Sequence, residues 1–234
     1  MLSIIIPTYN EEEYLPKLLK SIKNQDFKEN YEIIVADAES TDSTKDIAKK
    51  FGCKIIKGGK HSVGVNRGAN TAKGDTLLIM DADTMMPPDF LNKNFKFFIT
   101  NKLDVASCYI KTIDGKIIDK LIHAIANGYY YSFKRIKPYI PSYCLFIRKG
   151  FFFEVGCFDE NVPWLVDLAF SNALPKKTRY DIPPIHIKLS IRMAERLGRF
   201  NQMRIMLLAA FLCTIGKNYH KEYKWKNKPI ERTI

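Results

Sequence analysis

Carboxylates gather at three places in this chain where a strand-like apolar run gives way to a loop. Asn10-Glu11 follow the first run, Asp37 the second, and Asp81-Ala82-Asp83 the fourth. Acids are seldom delivered to the edge of a buried sheet by accident, because a carboxylate without partners is costly to desolvate. Hard oxygen donors of this kind suit Mg²⁺ or Mn²⁺, which bridge from carboxylates to phosphate oxygens. Taken alone, Asp81-Ala82-Asp83 fits a solvated turn or a helix cap equally well. Lys57, Lys60, His61 and Arg67 either offset phosphate charge or decorate a solvated loop. His61, His123, His186 and His220 lack metal-ligand spacing, so packing or surface roles are expected of them. The chain contains no Gly-x₄-Gly-Lys-Ser/Thr and no Gly-x-Gly-x-x-Gly, which excludes P-loop and dinucleotide motifs.

The elements that position these acids are legible as alternating periods. Residues 3–6, 32–36, 54–57 and 76–80 read as buried strands. Between them, 12–23 and 43–51 carry apolar residues at helical spacing, as in Tyr14, Leu15, Leu18, Leu19 and Ile22. Ser43 with Asp46 outlines a capping box, and Gly52 stands where a helix C-cap belongs. Alternation of this kind implies crossover connections and a mostly parallel sheet, whose ligands bind at the C-terminal strand ends. Pro87-Pro88-Asp89 opens a helix to about Thr100. Residues 105–110 and 143–148 read as further strands, and 117–133 as a helix whose end, Tyr129-Tyr130-Tyr131, packs on the core or stacks on a sugar. Two helical stretches between Ile191 and Ile215 close the fold. The apolar run 205–213 is roughly 14 Å long as a helix, too short to span a bilayer.

At 234 residues, with 46% hydrophobic and 26% charged, the composition is that of a globular protein. The apolar run 2–6 is too short for a signal-peptide core. Cys53, Cys108, Cys144, Cys157 and Cys213 have no paired spacing, so reduced, mostly buried thiols are expected in a cytoplasmic protein. The formal charge is +12, of which +8 falls between Ile185 and Ile234, with eleven Lys/Arg against three Glu. Arg192, Arg196 and Arg199 share a helical face, followed by an apolar stretch and a basic tail with Tyr219, Tyr223 and Trp225. That pattern fits an interfacial helix on an anionic membrane or a helix packed in a homo-oligomer. Residues 1–190 are expected to form the catalytic domain and 191–234 a helical, basic extension.

The motifs also carry a resemblance. Ile5-Ile6-Pro7-Thr8-Tyr9-Asn10-Glu11 resembles the first strand and nucleotide loop of family 2 glycosyltransferases. Val35-Ala36-Asp37-Ala38-Glu39-Ser40-Thr41-Asp42-Ser43-Thr44 is similar to their second motif, with Ala38 for its second Asp and Glu39 for its first Gly. Asn66-Arg67-Gly68, Ala72-Lys73-Gly74-Asp75 and Ile79-Met80-Asp81-Ala82-Asp83 follow in family order, and Gly156-Cys157-Phe158-Asp159-Glu160 leads to Asp167. Val166 stands where the family's catalytic pair has Glu, and Val65 where it has Arg before Asn. The resemblance implies an α/β fold with a mostly parallel sheet of the nucleotide-diphospho-sugar transferase (GT-A) type and a C-terminal helical extension. It implies sugar transfer with inversion from a UDP- or GDP-linked donor to a glycan or lipid acceptor. Pro7, Thr8, Glu11, Asp37, Asn66 and Asp81 would serve the nucleotide, Asp81 and Asp83 would hold Mn²⁺ or Mg²⁺, and Asp167 would be the general base. The rival readings are a sugar nucleotidyltransferase and a non-catalytic sugar-nucleotide or membrane-binding module. Nucleic acid is not an expected partner, and the expected place is the cytoplasm or the inner face of the cell membrane.

Overall fold

The computed structural model describes residues 1–219. The basic tail from His220 onward, with Tyr223 and Trp225, lies outside the described residues. In chain order the elements are β1 (Leu2–Thr8), α1 (Leu15–Lys23), β2 (Tyr31–Asp37), α2 (Thr44–Lys50), β3 (Lys54–Lys57), α3 (His61–Thr71) and β4 (Thr76–Met80). They continue with β5 (Thr84–Met85), α4 (Phe90–Thr100), β6 (Val105–Ser107), β7 (Ile110–Thr112), α5 (Ile117–Phe133), β8 (Cys144–Arg148) and α6 (Lys149–Glu154). The last are α7 (Val166–Ala173), β9 (Tyr180–Asp181), β10 (Ile187–Leu189), α8 (Arg192–Leu197) and α9 (Arg199–Ile215).

The main sheet has the order β3-β2-β1-β4-β8-β6-β9, and only β8 runs against the other strands. A second, small sheet has the order β5-β10-β7. The main sheet is buried on both faces, which is why its strands read as continuous apolar runs. Along β1, Leu2, Ile4 and Ile6 pack with Leu15, Leu18, Leu19 and Ile22 of α1 and with Phe90 and Phe98 of α4. Ile5 turns to the other face, where it meets Val65 and Ala69 of α3 and the aromatic cluster of Phe152, Phe158 and Phe170. The period of two thus splits one strand between two cores.

Several local expectations are revised. Ser43 makes no side-chain cap; Asp42 Oδ1 accepts the Thr44 N–H at 2.9 Å instead. Gly52, with φ of +72°, does follow α2 as a left-handed C-terminal residue. The stretch 105–110 breaks at Cys108-Tyr109, so β6 and β7 join different sheets. The 192–199 arginines do not share one face: the chain turns at Gly198 (φ +80°), dividing α8 from α9. All five cysteines are free, with Cys108 and Cys144 buried and their sulfurs 3.4 Å apart.

Helix α3 was not expected, because Gly64 and Gly68 weaken helix propensity within it. Its packing accounts for one of them. A Cβ at Gly68 would lie 2.4 Å from Ile5 Cγ2, so the helix can press onto β1 only where it has no side chain. Gly68→Ala should therefore cost about 1–3 kcal/mol, the usual range for overpacking a core. Urea unfolding checks this, and an unchanged midpoint would show that β1 and α3 separate without strain.

Candidate functional site

Parallel pairing of β1 with β2 and β4 brings their C-terminal ends together; Thr8 pairs with Asp37 at the last rung. The cleft above these ends is lined by Pro7, Thr8, Tyr9, Glu11, Ala38, Gly59, Lys60, His61, Asp81, Ala82 and Arg192. The loops after β1 and β2 are laced together. Thr41 N–H donates to Asn10 Oδ1 at 2.9 Å, Asn10 N–H to Ser40 Oγ at 2.9 Å, and Glu11 N–H to Thr44 Oγ1 at 2.8 Å. Asp37 is buried and accepts from Thr8 Oγ1 (3.2 Å), Ser40 Oγ (2.5 Å) and Ser40 N–H (2.9 Å). Its carboxylate shapes the loop, and neither Asp37 nor Asp83 is among the residues that line the cleft.

Arg192, at the start of α8, brings a cation into the cleft that is paired with its carboxylates. Its Nη1 and Nη2 donate to the two Glu11 oxygens at 2.7 and 2.8 Å, and its Nε lies 2.7 Å from Asp83 Oδ2. The guanidinium also sits 4.9 Å from the centre of the Tyr14 ring. Burial works against this charge, but the bonds to Glu11 and the fields of Asp83 and Asp81 outweigh it and hold the group protonated. Ser190, just after β10, donates its hydroxyl to Asp83 Oδ2 at 2.8 Å and its N–H to the Asp83 carbonyl at 3.1 Å. The small sheet thereby closes over the end of β4.

Asp81 lies on the other side of Ala82. His61 Nε2 is 3.3 Å from Asp81 Oδ1, and the imidazole stacks on Phe158 at 6.0 Å between ring centres. Asn66 is placed differently. Its Nδ2 donates to the Phe158 carbonyl and to Glu160 Oε1, both at 2.8 Å, and its Oδ1 accepts the Phe158 N–H at 3.1 Å. It clamps the loop after α6 and lies outside the cleft lining. Asp167 opens α7, where Tyr139 donates its hydroxyl to Oδ2 at 2.6 Å and Leu168 its N–H to Oδ1 at 3.0 Å. Burial raises its pKa above the usual carboxylate value; the Tyr139 bond and the field of His61 pull the other way without cancelling it. Leu165, two residues before it, holds a left-handed φ of +56°.

Among the described residues no group of three or more His, Cys, Asp or Glu forms a metal cage. The donor chemistry nevertheless fits Mg²⁺ or Mn²⁺. Such ions take one or two carboxylates, here Asp81 and Asp83, and complete their shell with phosphate oxygens and water. The sequence pattern did not anticipate Arg192, Ser190 and Tyr139 as site residues, and it left His61 open between a phosphate-side charge and a solvated loop. Arg192 offered only the signal of three arginines at helical spacing, which reads as a solvated face.

Comparison with known proteins gives concordant results. The description "Glycosyl transferase family 2" matches residues 3–155. The dolichol-phosphate mannosyltransferase of Pyrococcus furiosus is 40% identical over 124 residues, covering 49% of this chain and 34% of that protein. The chain thus spans about a third of the length of that relative. Among solved structures, the Pyrobaculum calidifontis mannosyltransferase PcManGT, in complex with GDP-Man and Mn²⁺, superposes with a TM-score of 0.72 at 20% identity, covering 94% of this chain and 65% of that one. The S. aureus TarS 1–349 complex with UDP-GlcNAc gives 0.67 at 20% identity, covering 89% and 66%. Both show the same fold: an α/β GT-A architecture with a large, mostly parallel sheet and C-terminal helices.

Removing Arg192 should expose how much the cleft depends on it. Arg192→Met takes the shared cation from two buried carboxylates and should cost about 3 kcal/mol at neutral pH, in the range for breaking a buried ion pair. Urea midpoints of both proteins at neutral pH measure this; an unchanged midpoint would show that the two carboxylates do not depend on Arg192.

Proposed function

The chain belongs to glycosyl transferase family 2, and from that premise we propose that it moves a sugar from a nucleoside diphosphate donor to an acceptor hydroxyl or phosphate, with inversion and with the help of Mn²⁺ or Mg²⁺. The observation that carries this reading is a cleft at the C-terminal strand ends lined by Glu11 and Asp81, with Asp37 and Asp83 bonded to the lining residues Thr8 and Arg192. Such an edge is where open α/β sheets bind nucleotides. Donors linked to UDP and to GDP are both supported by the neighbours, which hold UDP-GlcNAc in one case and GDP-Man in the other. The acceptor class is a glycan or a lipid, reached in the cytoplasm or at the inner face of a membrane. No helix among the described residues is long and apolar enough to cross one.

In this proposal Pro7 and Thr8 border the nucleotide, and Asp37 keeps the adjoining loop in shape for the base. Asp81 and Asp83 would hold the divalent ion, Asp83 giving up its contact with Arg192. The ion supplies Lewis-acid stabilisation of the charge that develops on the leaving group. Lys60 and His61 line the same side of the cleft and add positive potential towards that charge. Asp167 takes the proton from the attacking acceptor. A base must be ionised to act, and a raised pKa places Asp167 closer to the working pH than an ordinary aspartate. Val166 leaves Asp167 without the acidic neighbour usual in the family, so Tyr139 is its principal side-chain partner.

Two outcomes test this. Asp83→Ala should abolish the Mn²⁺-dependent part of the thermal stabilisation by UDP or GDP. A ligand at about 100 times its Kd contributes about 2.7 kcal/mol, well within reach of that assay. Equal stabilisation of the wild type with Mn²⁺ and with EDTA would sink the metal role. For the base, Asp167→Asn should slow transfer by about 10²–10⁴-fold while donor affinity holds. Tyr139→Phe removes a bond that favours the charged carboxylate, so the acid limb of the kcat/KM profile should move to higher pH. Should that limb stay put, or move down, Asp167 is not the group that titrates.

A further inference from the structure

Helices α5 and α9 leave an apolar face that the glycosyl-transfer reading does not use. Asp119, near the start of α5, accepts from Nε and Nη2 of Arg199 at the start of α9, at 2.7 and 2.9 Å. Near the other ends, Tyr129 donates its hydroxyl to the Ala210 carbonyl at 2.9 Å. The two helices therefore run parallel and in contact, tied at both ends. Ile122, Ala126 and Tyr130 of α5, and Ile205, Ala209 and Cys213 of α9, point into the fold and are buried. The opposite stripes stand in solvent: Ile117, Leu121 and Ile125 on α5, and Phe200, Leu207 and Phe211 on α9. Ile117 is 85% exposed and Phe200 82%. Single exposed apolar residues need no explanation, but two adjoining stripes of them on paired helices mark an interaction surface.

We infer that this α5–α9 face docks on an anionic lipid surface. Its charged rim decides between occupants. Lys120, Arg135, Arg196, Arg204 and Lys217 are exposed around the stripes, and among the described residues none lies within ion-pair distance of a carboxylate. The acids of these segments are few: Asp119 is buried and committed to Arg199, leaving Asp114 and Glu195 at the surface. Beyond the described residues, the sequence adds five Lys/Arg against two Glu from His220 to the end. A second copy on a two-fold axis would set this basic rim against itself, which like-charge repulsion disfavours. An anionic headgroup layer complements the rim, and apolar helix faces of this kind sit roughly 5–10 Å into the headgroup boundary. The face also lies close to the cleft. Arg192, on Glu11 and Asp83, and Arg199, on Asp119, are the first residues of α8 and α9, so the short helix α8 joins the two sites.

Vesicle co-sedimentation tests the inference on the full chain. Phosphatidylcholine vesicles are compared with vesicles containing phosphatidylglycerol, at low and high salt, with UDP and GDP binding measured on the same samples. The wild type should bind the anionic vesicles and bind them less well in salt. The triple variant Phe200→Ser, Leu207→Ser, Phe211→Ser alters exposed side chains only and should lose that binding while keeping its fold and its nucleotide affinity. Lys120→Glu with Arg204→Glu should weaken binding by at least about 25-fold, at about fivefold per cation. Wild-type protein that ignores anionic vesicles, or a triple variant that binds as the wild type does, overturns the inference. So does a wild-type dimer in light scattering that the triple variant abolishes. Nucleotide binding without vesicle binding would leave the glycosyl-transfer reading standing and this one rejected; the reverse result would do the opposite.

Discussion

Everything at the mouth of the sheet depends on one electrostatic constraint: carboxylates from β1 and β4 are brought together in a place too dry to leave them uncompensated. Glu11 and Asp83 are buried, and Asp81 stands two residues from Asp83. Desolvation and mutual repulsion would drive such groups apart or force them to take up protons. Arg192 resolves the conflict with one planar group, using a forked pair of bonds for Glu11 and setting its Nε 2.7 Å from Asp83 Oδ2. A lysine could not do this, since a point charge on a flexible stem lacks the fixed fork. The requirement fixes more than a side chain. The segment carrying Arg192 must return over β4, which is what β10 accomplishes by pairing with β5 and placing Ser190 on Asp83.

Backbone strain is found at the same site. Asn10, Glu39 and Leu165 hold left-handed φ values of 51°, 61° and 56°, and each lies within two residues of Glu11, Asp37 or Asp167. A non-glycine residue in that region costs roughly 1–2 kcal/mol. The surrounding hydrogen bonds sustain it: Asn10 through Ser40 and Thr41, and residues 37–40 through both oxygens of Asp37. Glu39 is notable because a family 2 motif has glycine there. The left-handed turn is kept even though its usual residue is not, so the demand comes from the fold and not from the amino acid. Strain held by neighbouring bonds is typical of loops that must present a side chain in one orientation.

The sequence made some of this plain and concealed the rest for physical reasons. Strands β1, β2 and β4 announce themselves because both faces of the sheet are covered, leaving near-continuous apolar runs. Parallel strands of this kind put their terminal acids at a common edge. Helix α3 was hidden because its two glycines lower its propensity while its packing against Ile5 depends on one of them; tertiary contact overrides local preference here. The strands β5 and β9 are two residues long and carry no period at all. Arg192 was out of reach for a different reason. Its partner Glu11 lies 181 positions away, and an arginine beside other arginines at helical spacing gives no sign that it faces inward. Asn66 shows the converse: its motif suggested the nucleotide, and its amide is taken up by Phe158 and Glu160.

A chain of direct contacts also joins the cleft to α7. His61 touches Asp81 through Nε2, rests on Phe158, and contributes to the field at Asp167. Phe158 in turn is fixed by Asn66 through both its backbone groups and packs edge-on against Phe170 of α7, whose ring centre is 5.0 Å away. The path from Asp81 to α7 is therefore one of packed rings and satisfied amides, with no long flexible side chain in it. Close-packed interiors of this sort transmit displacement and do not absorb it. A charge added beside Asp81 would act directly on His61, and any shift of that imidazole would bear on the Phe158–Phe170 stack on which α7 rests. The buried pair Asp119–Arg199 anchors α9 independently of this route, since its carboxylate is held by Arg199 and by the Lys116 N–H. The cleft thus meets α7 through aromatic packing and α8 through Arg192, while α9 is fixed to α5 by a separate ion pair.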